Sequence, residues 1–496
     1  MKEYRLKNSK FFGMNIMVLL IGLLVFQSCD KNDMLNPTSK TLLSDEVVFD
    51  SKERIESQVN GLYQKLKHGD FLGSKYLIMS DIRAGDFFSN TNNAAVGATT
   101  YQLNNATTTN EVIQLWERGY QVINAVNVFI QNMELLGMEV TGQEVGNNYI
   151  AEARLIRGLS YYYLLQLYAR PYWDNNGGKP GLPLRLTGNT GPDDYNLARS
   201  TVKEVYDQIL EDLNFAENNL PDSYGSSTLN TNRAHRNTAI ALKTRVYLSM
   251  GDYPGVITEA DKIVSIAAPF QASTGVHNAL VSDIRDVFQS PYVTSESIFS
   301  MPFTSEDSPG TALSGWFSPT GGAFGNGDAV YMLNTEGIVA NTSWGNNDVR
   351  RTFIAEDGGH IWLVKFNDPR PYLDSAPVIR YSEVLLSLAE ALAKNTNSVN
   401  SRAVELLSAV RHRSDSSVQF TASDFSSVDA LVDAIVTERQ IEFLGEGIRN
   451  ADIMRLGLDI PEKSRFSVSK ATPSNSNYIW PISVDELSLN NLMENN

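Results

Sequence analysis

Glu438 and Glu442 stand four residues apart in an arginine-rich stretch, and a carboxylate pair is what a glycosidase uses as acid and nucleophile. One helical turn would put their Cα atoms about 6 Å apart on one face, among arginines that depress both pKa values. A general acid needs a raised pKa. The pair therefore reads as ion-pairing equipment that fixes helix register. Arg380, Glu383, Glu390, Arg411, Arg413, Arg439, Glu446, Arg449, Asp452 and Arg455 crowd neighbouring helices with opposite charges in the same way. The five histidines, His68, His235, His277, His360 and His412, are scattered, with no H-E-x-x-H. There is no G-x-S-x-G elbow, Walker loop or G-x-G-x-x-G. Asp174 to Gly178 alternates oxygen ligands like the start of a calcium loop but lacks the distal glutamate, and reads as a turn. The one cysteine, Cys29, excludes an internal disulfide framework and a cysteine-based zinc site. No catalytic residue, metal or cofactor is expected.

Sugar binding leaves a different footprint, because pyranose rings have apolar faces and hydroxyl rims. A site for them needs exposed aromatic plates beside amide, carboxylate and guanidinium groups. Trp316, Tyr331, Trp344 and Trp362 fit this, with Asn326, Asp328, Asn346 and Asn347 interleaved. A second group comprises Asp81, Arg83, Asp86, Asn90, Asn92 and Tyr101. Trp116 and Trp173 read as core or helix-end packing.

The elements that must position these groups are mostly helical. Helices are predicted over residues 51–67, 111–136, 148–168, 201–220, 237–250, 253–266, 379–394, 402–412 and 428–444. Thr201 to Glu204 forms a capping-box start. The pair at 237–250 and 253–266, joined across Gly251-Asp252, has the small and aromatic residues of a tetratricopeptide-type hairpin, and such hairpins stack. The best strand candidate is 297–302. Two stretches behave as loop-rich insertions, 89–110 and 304–376; the second holds 10 of the 34 glycines and three of the six tryptophans.

Over 496 residues there are 57 acidic and 41 basic side chains, a net charge of −16. Residues 1–28 hold Lys2, Arg5, Lys7 and Lys10 against Glu3, so the rest carries 37 basic and 56 acidic residues, net −19. That field disfavours nucleic acid and fits neutral or basic cargo. A basic start followed by the apolar run Ile16 to Phe26, ending at Cys29, is similar to a bacterial lipobox. Cleavage before Cys29 and acylation of its thiol and amine would anchor the protein to a membrane without spanning it. The expected organisation is a signal peptide at 1–28, a lipidated linker at 29–44 and one domain at 45–496.

Four further segments resemble the SusD/RagB family of outer-membrane nutrient-binding lipoproteins. They are Ala151-Glu152-Ala153-Arg154-Leu155-Ile156-Arg157; Ile379-Arg380-Tyr381-Ser382-Glu383-Val384 with Ala389-Glu390-Ala391, followed by Val410-Arg411-His412-Arg413; Glu438-Arg439-Gln440-Ile441-Glu442-Phe443 with Glu446-Gly447-Ile448-Arg449; and Tyr478-Ile479-Trp480-Pro481-Ile482. The resemblance implies stacked tetratricopeptide-like hairpins packed against an irregular, loop-rich half with minor β structure. It implies non-catalytic binding of an oligosaccharide or polysaccharide, with Asp81 to Asn93 contributing. It also implies a SusC-like TonB-dependent transporter as partner and a lipid-anchored place on the outer membrane, facing outward. Alternatives are a peptide-binding member of the same family and a lipid-anchored glycoside hydrolase.

Overall fold

A computed structural model describes residues 45–310, 312–319 and 329–496. The Cys29 region, Asn326 and Asp328 lie outside the described residues. Helices dominate. In chain order the principal ones are α1 (Lys52–Leu66), α2 (Lys75–Arg83), α3 (Asn110–Asn132), α4 (Gln143–Tyr168), α5 (Val202–Asn219), α6 (Arg236–Met250), α7 (Tyr253–Ala260), α8 (Tyr381–Thr396), α9 (Ser401–Ser414), α10 (Val428–Glu442), α11 (Arg449–Leu456) and α12 (Val484–Leu489).

Local chemistry explains where they start and stop. Ser51 caps α1 by accepting the Arg54 N–H at 3.4 Å. Thr201 and Glu204 exchange the two hydrogen bonds of a capping box at the head of α5, 3.2 and 2.7 Å. Gly251, at φ +72°, takes the left-handed turn that ends α6 and starts α7. The second helix of this hairpin ends at Ala260, short of the predicted Ile266, which is 80 % exposed and has no core to join.

The helices stack in sequence: α3 against α4, α4 against α5, α5 against α6, α6 against α7, and α8 against α7, α9 and α10. One large core runs through them, with Ile156, Ile209, Ala239 and Leu385 fully buried. The β structure among the described residues is three two-stranded antiparallel sheets. β2 (Ser297–Met301) pairs with β6 (Ala376–Arg380), so Ile379 belongs to a strand that feeds α8, not to the helix itself. β4 (Ile354–Asp357) and β5 (His360–Leu363) form a hairpin. β1 (Phe87–Ser89) pairs with β3 (Tyr331–Leu333), Phe88 opposite Met332. That last pairing joins the two insertions.

Candidate functional site

The charged helices resolve into a buried, self-neutralising network. Arg380 donates to Glu446 at 2.8 Å, Glu442 at 2.9 Å and Glu296 at 2.5 Å. Arg350 bonds Asp348, Glu438 at 2.7 Å and Glu442 at 2.8 Å, while Arg413 reaches Glu296 and Glu442 and Arg411 reaches Glu438. With Lys365 on Glu446, five cations face five carboxylates. Burial pushes the Glu442 carboxyl up, but Arg413, Arg380 and Arg350 outweigh it and hold it well below the usual range. A group so placed cannot serve as a general acid near neutrality; it ties α8, α9 and α10 together.

Asp174 accepts from Arg170 at 2.7 Å, and Asn175 and Asn176 have positive φ, so the Asp174 segment is a tight turn. Among the described residues no group of three or more His, Cys, Asp and Glu side chains could hold a metal ion.

Of the ten predicted ligand-binding residues, eight are buried, which corrects the expectation of exposed plates. Asp81 and Arg83 lie on α2, a helix buried on every side. Asp81 accepts the Gly447 N–H at 2.9 Å, and burial pushes its carboxyl well up. Arg83 donates to the Tyr478 carbonyl at 2.8 Å. Asp86 accepts from Gln440 and from the Ile338 N–H, stitching the segment that leads into the first insertion to the second and to α10. Trp316 stacks on Tyr331 with ring centroids 5.8 Å apart and planes 7° apart, and Tyr101 lies 6.3 Å from Tyr331. The Tyr331 hydroxyl donates to the Val96 carbonyl at 2.7 Å. Trp362 packs with Phe88, Ala329 and Met332. Trp344 belongs to another neighbourhood, under the Arg351 guanidinium at 4.2 Å. For the aromatics the physical reason is shared: loops with few strands need a core, and large aromatic rings are what they have to make it.

Asn90 and Asn92 remain exposed on the edge of this packed unit. The Asn90 side chain donates to the Ala329 carbonyl at 2.9 Å, and Asn92 accepts from Gln102 at 3.1 Å. A segment that sequence reasoning missed completes the edge. Arg465 donates to the Asn90 carbonyl at 3.3 Å and lies 5.0 Å over the ring of Phe466, which meets Tyr101 edge-on at 6.2 Å. Phe466 and Ser467 both have positive φ, +62° and +50°, a costly conformation for side-chain-bearing residues. Lys463 beneath them donates to the Tyr101 carbonyl at 2.9 Å. Burial, helped by Arg83, brings its ammonium down to about 7. The signal available was a lone aromatic in the polar run Glu462 to Ser467. The result is a shallow amide-rich edge with half-buried Phe88 and Phe466, rigidly backed. A larger cavity, about 790 Å³, lies elsewhere along α3.

A stack of helical hairpins carrying loop-rich stretches that β1 and β3 join along one edge defines the architecture. The comparisons with known proteins place it. Residues 33–248 match a family profile described as "Starch-binding associating with outer membrane", and residues 372–496 match the SusD family. A SusD superfamily protein from Bacteroides fragilis is 32% identical, covering 90% of this chain and 100% of its own, with a TM-score of 0.80. SusD-like protein P2 of Formosa agariphila is 24% identical, covering 98% of this chain and 99% of its own. Surface glycan-binding protein A from Bacteroides thetaiotaomicron, solved with laminarihexaose, shares the fold at 19% identity and a TM-score of 0.69, over 88% of this chain and 97% of its own. The chain belongs to the SusD/RagB family.

Proposed function

We propose that this protein captures an oligosaccharide or polysaccharide without cleaving it and delivers it to a SusC-like TonB-dependent outer-membrane transporter. Lipid on Cys29 holds it at the outer membrane, facing outward. The observation that carries the reading is the β1–β3 pairing, which fuses the two insertions into one edge presenting Asn90, Asn92 and Phe466. Hydroxyls of a sugar meet the amides, and a pyranose face meets Phe88 or Phe466. Trp316, Tyr331, Tyr101 and Trp362 support this edge from behind, and Asp81, Arg83 and Asp86 anchor it to the scaffold. A glycan-binding relative with the same fold supports the reading, as does the family profile. Among the described residues no helix is long and apolar enough to cross a membrane.

Calorimetry against a panel of polysaccharides, with reducing ends assayed in parallel, tests this directly. Binding is expected with no rise in reducing ends, and Phe466→Ala is expected to cost about 0.5–1.5 kcal/mol of affinity. Release of shortened sugars would overturn the non-catalytic reading. Unchanged affinity in both Phe466→Ala and Asn90→Ala would move the site away from this edge. Cys29→Ser is expected to shift the protein from membrane to soluble fractions and to abolish labelling by a clickable fatty acid.

A further inference from the structure

Helix α3 faces a trough that the insertion edge does not use. At one end, Lys65 and His68 at the close of α1, Arg118 of α3 and the segment from Phe303 to Gly310 enclose a cavity of about 430 Å³. At the other, Tyr120 and Asn124 of α3, the strap around Tyr195 and helix α12 enclose the 790 Å³ cavity. Lys65 and Gln121 line both, so the two adjoin.

The smaller cavity is lined by more cations than carboxylates, Lys65, Lys67 and Arg118 against Asp70 and Asp307. Its two carboxylates are already taken, Asp70 by Lys75 at 2.6 Å and Asp307 by Lys67 at 2.5 Å. Lys65 and Arg118 make no ion pair among the described residues; Arg118 donates to the neutral Gln121 at 2.8 Å. The Nδ1 of His68 accepts the Asp70 N–H at 3.1 Å, leaving Nε2 as the donor of the ring. Burial, together with Arg118, holds this imidazole below its ordinary pKa. Two unpaired cations and a neutral N–H donor thus border one concave space in a chain of net charge −16.

The larger cavity mixes apolar surface with fixed polar groups. Asn124 and the backbone of Asn189 exchange hydrogen bonds at 2.7 and 3.1 Å. Arg185 is clamped between Glu486 at 3.2 Å and the Tyr195 carbonyl at 2.8 Å. Tyr120 and Tyr195 are half-buried and offer ring surface, while Glu117, Asp193, Asp194 and Asp485 also line this cavity. The cations without an ion pair thus gather about the smaller cavity, while most carboxylates line the larger, which favours an anionic group at the smaller.

We propose that this trough is a second glycan site, taking an acidic oligosaccharide whose uronate carboxylate or sulfate ester meets Lys65, Arg118 and His68 while its neighbouring rings run past Tyr120 and Tyr195. The assignment rests on the reading of the protein as a glycan binder and adds a charge class to it. Guanidinium and ammonium groups bind such oxyanions through charge-assisted hydrogen bonds, and exposed pairs of this kind weaken with salt.

The test is calorimetry on the purified protein with an oligogalacturonate, a sulfated galactan oligosaccharide and laminarihexaose, at about 20 and about 200 mM salt. At least one acidic probe is expected to bind more tightly than the neutral one at low salt, with affinity falling about fivefold or more at high salt. Which acidic probe binds distinguishes carboxylate from sulfate. The double variant Lys65→Gln/Arg118→Gln is expected to lower acidic affinity about tenfold and flatten its salt dependence, while neutral binding persists. Phe466→Ala is expected to do the reverse. Acidic probes binding no tighter than laminarihexaose, or a double variant without effect, overturns the second site while leaving the first intact. If no oligosaccharide of either kind binds, the glycan reading falls as well.

Discussion

Arg380 shows why the charges on these helices are structural. It is 1 % exposed and donates to three carboxylates from two distant places in the chain, Glu296 and the Glu442–Glu446 stretch. Removing it would strand buried negative charge, and Arg380→Met is expected to cost about 3–5 kcal/mol, read as a drop in the urea midpoint. His235 makes a prediction about pH. It is fully buried, and burial drives its pKa down to about 4. The fold keeps the imidazole neutral, whereas the unfolded chain takes up a proton below about 6.5. Stability present above that pH is lost as pH falls toward 4, about 2 kcal/mol of it by pH 5. Denaturant titrations at pH 7 and 5 should show this slope in the wild type and not in His235→Gln. The ion-pairing character of Glu438 and Glu442 was legible from their spacing. Their shared partner Arg350 was not, because a contact across about ninety residues leaves no local pattern.

At the scale of elements, the helices announced themselves wherever one face met water. α5 alternates buried and exposed positions under a capping box, and Thr201→Ala is expected to lower stability by about 1 kcal/mol, measured by thermal unfolding. α2 escaped notice for the opposite reason: all nine of its residues are buried, so no polar face marks its period. Its docking depends on Gly447, whose φ is +73° and whose missing Cβ would stand 2.7 Å from the Leu77 Cα. Gly447→Ala is expected to cost about 1–3 kcal/mol and to loosen α2, seen as faster amide exchange in Ile78 and Met79.

At the scale of the molecule, the sequence identified which stretches decorate the scaffold but not which way their side chains point. An aromatic in a loop is plate or core according to what lies behind it, and the pairing that sets Tyr331 opposite Ser89 joins stretches some 240 residues apart. Trp316→Ala is accordingly expected to act first on stability, by about 3–5 kcal/mol, with glycan affinity falling only as the edge loosens. A calorimetric titration on the folded fraction separates the two. Phe466 stayed hidden because its turn comes from near the end of the chain, outside both insertions.

The buried network also sets a timetable for the polypeptide. Glu296, Asp348, Arg380, Arg411 and Glu446 come from well-separated stretches and neutralise one another only when all have docked. A partial assembly of this half could shed its water only by leaving a charge stranded. The half is therefore expected to close in a single late step, after residue 446 has emerged, with pulse-labelled amides of α8, α9 and α10 gaining protection in synchrony.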